Sequence, residues 1–408
     1  MSDAAGDINS TVTALALEHG PIFAFGVGPL RFVWLVGAEA NRFLLEEATP
    51  HLSLGNAYSF LRTVGGDTAL ISSDEPEHLR RRRLVQPAFH RSKLADLDTL
   101  IQTRLQTLFA TWQGRTVDVY AELKDALLGL ICEILLGERV RESPLTADVA
   151  RMMAFANLPM PAQLIKVPLP GTPWARFLQT RKRADRALYT EIVRRRHSED
   201  LGKDVLGLLL EARDEDGQSL SDQEVRDQAV SLVSAGFETT SAALTWAVYA
   251  LLSQPDLTRE LQTVLSNTDE PPLLHHTVRE TLRLYPPAPV GLRQATSDLS
   301  FRGYHIPKGH FVAFSIYATH RSEAHFTGAH LFCPQRWETL KPEPYSYLPF
   351  GSGTRYCIGA GLATRVITLG IKTLFRDYDL TPAWQEPVQE AGNTLHPKGG
   401  LRVRVARR

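Results

Sequence analysis

The chain has 408 residues, with Lys+Arg and Asp+Glu both at 45, so its formal net charge is zero. Hydrophobic residues at 43% and charged residues at 22% exclude disorder, collagen and a disulfide miniprotein. The charge balance argues against wholesale electrostatic binding to nucleic acid or to an anionic membrane.

The first twenty residues hold three acidic residues and no sustained apolar run, unlike a signal peptide. Residues 23–36 read as a strand, a turn at Gly28-Pro29 and a second strand. Gly26, Gly28, Pro29 and Arg31 break this stretch, which is shorter than the ~20 residues a spanning helix needs. Residues 37–48 read as a short helix, and 49–74 as a long loop around one short helix; such loops are often functional. Helical periodicity runs from 76 to 136, with breaks near Gly114 and Asp118. Residues 157–174 interleave five prolines with Leu158, Leu164, Ile165, Val167 and Leu169, which forbids a regular helix and suggests an apolar lid. Residues 176–212 read as a basic amphipathic helix and its successor, with Arg181-Lys182-Arg183 and Arg194-Arg195-Arg196 on a solvated face.

Ser221 and Glu224 form a capping box that opens a helix running to Ser253. At 1.5 Å per residue its length is about 48 Å. Val230, Val233, Ala235, Phe237, Ala242, Leu244 and Trp246 make its middle apolar nearly all round, as in a helix through the centre of a large domain. A helix over 273–285 stops at Pro286-Pro287. Strands follow near 290–295, 299–302 and 311–315. A meander at 332–349, the loop 349–357, a helix over 358–376 and strands at 379–383 and 401–405 complete the chain. With no repeat and no clear linker, the chain reads as one domain over 1–408, its portion about 20–75 β-rich and the remainder α-rich.

The three cysteines, Cys132, Cys333 and Cys357, form no C-x-x-C pair, which fits a reducing cytosol and a cytoplasmic protein. Cys357 lies in Phe350-Gly351-Ser352-Gly353-Thr354-Arg355-Tyr356-Cys357-Ile358-Gly359, just before a helix. A thiolate there faces the positive end of the helix dipole and becomes a strong, soft metal ligand. A small buried hydrophobe and a cysteine nucleophile remain open as alternatives. A phosphate-cradling loop does not, because neither glycine pattern for it is completed.

This loop resembles the cysteine loop of the cytochrome P-450 family, F-G-x-G-x-R-x-C-x-G, at every defined position. Three further elements are similar to the family's in order: Ala235-Gly236-Phe237-Glu238-Thr239-Thr240 to the oxygen-activating segment, Glu280-Thr281-Leu282-Arg283 to its E-x-x-R, and Phe332-Cys333-Pro334-Gln335-Arg336 to its meander. E-x-x-R also occurs at 39–42, 77–80, 138–141 and 191–194, so place carries its meaning. His78-Leu79-Arg80-Arg81-Arg82 resembles the H-x-x-x-R of bacterial members. Two departures are Phe237, where many bacterial members carry His, and Thr319-His320-Arg321, where many relatives have an N-R type sequence.

The resemblance implies a mainly α fold with small β-sheets, a long central helix over haem and the cysteine loop on the opposite face. It implies haem b with Cys357 as proximal ligand and O2 as co-substrate; thiolate ligation is this family's haem mode. Glu238 and Thr239 would deliver protons. His78, Arg82, Arg293 and Arg355 would pair with haem propionates, while Phe350 shields the sulfur and Gly359 lets the backbone approach. Glu280, Arg283 and Arg336 would form a buried network behind the loop. Arg80, Arg81 and Arg83 would stay at the surface, facing an acidic electron donor. Tyr58, Phe60, Leu61, Ala235, Phe237 and Val290 would line an apolar pocket for a terpenoid, fatty acid or steroid. The expected activity is monooxygenation by a monomeric protein. Its electrons would come from a separate ferredoxin or flavodoxin with an NAD(P)H reductase, since no flavin or iron–sulfur module is seen. A peroxide-driven peroxygenase or isomerase and a non-catalytic haem sensor are the rival readings.

Overall fold

The computed structural model describes residues 8–26, 31–141, 143–158, 163, 165–385, 387, 389–391 and 394–408. The turn at Gly28-Pro29, and Pro159, Pro161 and Leu164 of the proline-rich segment, lie outside these. The fold is mainly helical with small sheets. The chain divides into two compact units, one of residues 1–53, 98–124 and 239–408, the other of 54–97 and 125–238.

The first unit carries a five-stranded sheet in the order Ile22–Phe25, Phe32–Leu35, Phe311–Ser315, Val290–Ala295, Leu52–Ser53. The expected strand pair at 23–36 is there, with Ile22 opposite Leu35. Its second strand runs parallel to Phe311–Ser315, so the β-rich N-terminal portion is completed by residues near the other end of the chain. The face built from Leu35, Leu44, Val312, Phe314 and Leu348 is buried. Helices Asp98–Trp112, Pro255–Asn267, Pro272–Leu284 and Ala360–Asp377 belong to this unit, with a second sheet of Thr116–Asp118, Arg402–Arg407 and Tyr378–Pro382. Two short hairpins, Leu299–Phe301 with Tyr304–Ile306 and Gln389–Ala391 with Leu395–Pro397, extend the expected strands.

The second unit is helical. Residues 49–74 are more ordered than a loop around one helix: the segment winds through short turns at Leu54–Ala57, Ser59–Leu61, Arg62–Gly65 and Leu70–Ser72. The helices Glu77–Val85, Pro144–Ala156, Pro173–Arg196 and Val205–Glu211 follow. The central helix is Asp222–Leu252, 31 residues long; its residues up to Glu238 belong to this unit, and those from Thr239 on, with Leu244, belong to the first. Its capping box forms as expected: Ser221 N donates to Glu224 Oε2 at 2.9 Å, and Glu224 N donates to Ser221 Oγ at 3.2 Å.

The solvated basic face holds at Lys182, Arg183 and Arg194, which are exposed, but needs correction at Arg195. Arg195 is only 5% exposed and donates to Glu191, Asp204 and the Leu136 and Leu201 carbonyls. Arg183 pairs with Asp148 and Arg196 with Asp222. A buried guanidinium requires such partners, and here acidic residues on other segments supply them. The proline-rich segment also differs from a lid turned inward: in its described part, Ile165, Val167 and Leu169 are exposed.

Candidate active site

The E-x-x-R pair sits in the helix Pro272–Leu284, which starts with proline at its first position and ends before Pro286-Pro287. Glu280 and Arg283, one helical turn apart, are both fully buried. Arg283 donates to Glu280 through Nε at 2.9 Å and Nη2 at 2.8 Å. Glu280 also accepts from Arg336 Nε, Trp337 Nε1 and the Cys333 amide, each at 2.9 Å. The remaining guanidinium donors of Arg283 reach the carbonyls of His320, Ala329 and Leu331. One carboxylate thus gathers the helix and the meander. The expected Arg336 is in it; Trp337 and the Cys333 amide were not foreseen.

His320 was also missed as a site residue. It ends the short helix Ile316–His320, which Ser315 caps through Ala318 N. Its Nδ1 lies 3.0 Å from the Arg283 carbonyl oxygen, and the Leu348 amide donates to its Nε2 at 2.8 Å. A carbonyl on one nitrogen and an N–H on the other leave one possibility: neutral imidazole with its proton on Nδ1. Burial pushes this histidine down to about 3, with the charges of Arg283 and Arg321 acting the same way. No signal marked this residue in the sequence beyond its departure from the N-R type pattern.

From Leu348 the chain enters the cysteine loop. Gly351 N donates to Leu348 O at 3.1 Å, and Cys357 N donates to Phe350 O at 2.9 Å. Gly353 has φ +65, and a Cβ there would stand 3.0 Å from the Leu45 carbonyl oxygen, so this position suits glycine on both counts. The helix begins at Ala360, three residues after the cysteine rather than one, with Gly359 as its N-cap. Gly370 of this helix abuts Leu244 of the central helix; a Cβ there would come within 2.6 Å of the leucine side chain. Cys357 is exposed, whereas Cys132 is buried. Its neighbour Tyr356 has its phenol held above the ordinary range by burial and by the Cys357 charge.

Among the described residues no group of three or more His, Cys, Asp or Glu side chains could hold a metal ion. The exposed Cys357 thiol is a single soft donor, the kind of ligand through which this family holds haem iron. In the same unit, Arg293 is 8% exposed, donates to the Leu292 carbonyl at 2.7 Å and lies over the Phe314 ring. Arg355 is half-buried in the cysteine loop, and Phe350 meets Tyr356 edge to face. Val290 is partly buried beside Trp34 and Ala313.

In the second unit, His78 and Arg82 share the helix Glu77–Val85; His78 is buried, 3.3 Å from Glu75. Arg80 and Arg81 correct the expectation of free surface cations. Arg80 donates to Asp214 and Glu224, and Arg81 to Glu224 and Ser73. Their charge is spent inside this unit, because the capping-box glutamate and the 214–219 turn fold against them. Arg83 pairs with Glu215 at the surface.

On the central helix, Glu238 is 5% exposed, and Asn157 Nδ2 donates to its Oε1 at 2.9 Å. Asn157 caps the C-terminus of Pro144–Ala156 and was not foreseen as a site residue. Thr239 follows Glu238 in the helix and is half-buried. Gly236 lets Ile131 approach: its Cβ would lie 3.3 Å from Ile131 Cγ2. Phe237, expected with Ala235 to line the apolar pocket, is 1% exposed, while Ala235 is exposed. Two helical positions differ by about 200°, so these two residues cannot share a face. Tyr58 and Leu61 are half-buried and Phe60 is 45% exposed, its ring 6.0 Å from that of Tyr58.

The family model described as Cytochrome P450 matches residues 2–402. The chain is 33% identical to a protein of Mycobacterium tuberculosis named putative cytochrome P450 139, covering 98% of this chain and 97% of the relative. It is 28% identical to a pentalenene oxygenase of Streptomyces avermitilis, covering 96% and 91%. A retinoic-acid-bound cyanobacterial CYP120A1 structure superposes at a TM-score of 0.87 with 27% identity, covering 99% of this chain and 95% of that one. With the cysteine loop, the E-x-x-R network and these likenesses over nearly its whole length, the chain belongs to the cytochrome P450 family.

Proposed function

We propose that this P450 is a monooxygenase that inserts one oxygen atom of O2 into a small apolar substrate, and that Cys357 is the residue that would hold its haem iron. Family membership brings haem b, a cysteine thiolate ligand and O2 as co-substrate. The observation that carries the assignment is the exposed Cys357 three residues before the helix Ala360–Asp377, in a loop tied to the buried Glu280–Arg283–Arg336 cluster through His320. Arg293, Arg355, His78 and Arg82 would offer charge to the propionates, Phe350 would shield the sulfur, and Gly359 would leave the helix start open to it. Bound haem supplies the oxygen chemistry, which thiolate ligation biases toward O–O cleavage.

The chain's own part is positioning and protons. Glu238 and Thr239 form the acid–alcohol pair, with Asn157 orienting the Glu238 carboxyl. Tyr58, Phe60, Leu61, Ala235 and Val290 border the substrate, for which a terpenoid, fatty acid or steroid is the class proposed. In support, one relative is named a pentalenene oxygenase and one solved relative holds retinoic acid. Electrons come from a separate ferredoxin or flavodoxin with an NAD(P)H reductase. Residues 1–408 act as one P450 domain, in line with the family model's span. No helix among the described residues is long and apolar enough to cross a membrane.

The test is Cys357→Ser. The variant should keep its helical content and lose the long-wavelength Soret band of a reduced, CO-bound thiolate haem. An unchanged band would remove Cys357 from the site. Turnover with peroxide alone, and none with reductase and O2, would favour the peroxygenase reading instead.

A further inference from the structure

Three consecutive residues at the start of the central helix are polar and buried: Arg226 at 2%, Asp227 at 2% and Gln228 at 0% exposure. A helix that needed only packing there would use apolar residues, since buried charges are costly unless fully partnered. Their partners lie largely in one place, the backbone of residues 63–70. Arg226 Nη1 donates to Gly65 O at 3.3 Å, and the guanidinium is held by Asp185 and Asp227 at 2.6 and 2.9 Å. Asp227 Oδ2 accepts from the Thr68 amide at 3.0 Å and the Thr68 hydroxyl at 2.8 Å. Gln228 accepts from Leu70 N at 3.2 Å and donates to Thr68 O at 2.6 Å. Arg181, from the helix Pro173–Arg196, adds a bond to Thr63 O at 3.0 Å.

The loop is shaped for this grip. Gly66 has φ +93, and a Cβ there would fall 2.1 Å from the Asp227 carboxylate. On the other side, Asp74 Oδ1 accepts from Leu54 N at 2.9 Å and Gly55 N at 3.1 Å. Tyr58, Phe60 and Leu61 stand between these two anchored stretches.

We infer that Arg226, Asp227 and Gln228 are specificity-setting positioning residues. They hold residues 63–70 in one conformation and thereby fix the wall presented by Tyr58, Phe60 and Leu61. The inference rests on the reading that those three side chains border the substrate. A fixed apolar wall discriminates by about 10–200-fold per misfitting methylene, whereas a loose wall adapts to several sizes.

The experiment uses haem-loaded full-length protein, Asp227→Asn and the milder Thr68→Val, which removes one donor of the clamp. Asp204→Asn is the control: it breaks a buried ion pair with Arg195 in the same unit without touching the loop. Hydrogen exchange reads the amides of 54–72. Binding of 1-alkylimidazoles from hexyl to dodecyl, followed by the Soret shift, reads selectivity. In Asp227→Asn and Thr68→Val, exchange at Thr68 and Leu70 should accelerate by about tenfold, the worth of one hydrogen bond. The dependence of affinity on chain length should flatten by at least about tenfold in the same variants. Asp204→Asn should leave both readouts in place. Unchanged exchange would overturn the clamp itself. Faster exchange with unchanged chain-length dependence would overturn the inference through the pocket reading on which it rests. Equal flattening in Asp204→Asn would reduce the effect to general destabilisation and overturn it too.

Discussion

His320 offers a measurable consequence of the link between the E-x-x-R helix and the cysteine loop. Its ordinary value is 6.5, and in the folded chain it lies at about 3. The unfolded chain therefore takes up a proton below about 6.5 that the folded chain refuses until about 3, so stability falls as pH falls through that window. At pH 5, ~1.5 units below the unfolded value, ~1.36 kcal/mol per unit gives a loss of about 2 kcal/mol from this residue. His320→Gln removes the titration yet can still donate to the Arg283 carbonyl and accept from Leu348 N. It should cost about 1 kcal/mol at pH 7 for imperfect geometry. Urea denaturation at pH 7 and pH 5 should then show wild type losing about 2 kcal/mol more than the variant on acidification. His320→Leu, which strands a buried amide and a buried carbonyl, should cost about 2–6 kcal/mol at both pH values. Parallel pH dependence in wild type and His320→Gln would refute the neutral, doubly hydrogen-bonded imidazole.

Three other outcomes are expected. Glu280→Ala leaves the Arg283 guanidinium buried without its carboxylate and should destabilise by about 3–5 kcal/mol, with haem retention falling in step, as urea midpoints and absorbance ratios would record. Asn157→Ala removes one bond to Glu238, worth about 1–2 kcal/mol at an exposed donor. Product formed per reduced nicotinamide should fall by about 5–30-fold while the ferric spectrum is unchanged. Glu191 is lowered to about 2 by its bonds to Arg194 and Arg195, so its contribution is present above about 4.5 and lost as pH falls toward 2. After solvent screening this is about 1–2 kcal/mol, and Glu191→Gln should flatten acid denaturation between pH 4.5 and 2 accordingly.

Much of the fold was legible because its signals are local. Ser221 and Glu224 announce the central helix, prolines mark the end of Pro272–Leu284, and an apolar stretch broken by glycine and proline marks the strand pair at 22–35. The short turns of 54–72 were not legible, since side chains from residues 181 and 226–228 hold them rather than their own propensity. The same cause hid Arg80, Arg81 and Arg195: a basic run looks solvated until distant carboxylates such as Glu224 and Asp204 fold onto it. Cys357, Glu280 and Arg283 stood out by motif, but His320, Trp337 and Asn157 belong to no motif. They act through one or two hydrogen bonds to partners between 28 and 81 residues away.

The parallel pairing of Phe32–Leu35 with Phe311–Ser315 also bears on synthesis. Thr319 then seals the arrangement by accepting from the Gly37 amide across a separation of 282 residues. On the ribosome, the first two strands leave the exit tunnel long before their neighbour exists. Their open edge, with Phe32 and Trp34 on it, must wait through most of translation. Contacts this distant in sequence slow productive folding and lengthen the time a sticky edge is available to other chains. Nascent chains stalled before residue 311 should therefore depend on a holding chaperone, and that dependence should vanish once the strand at 311–315 has emerged.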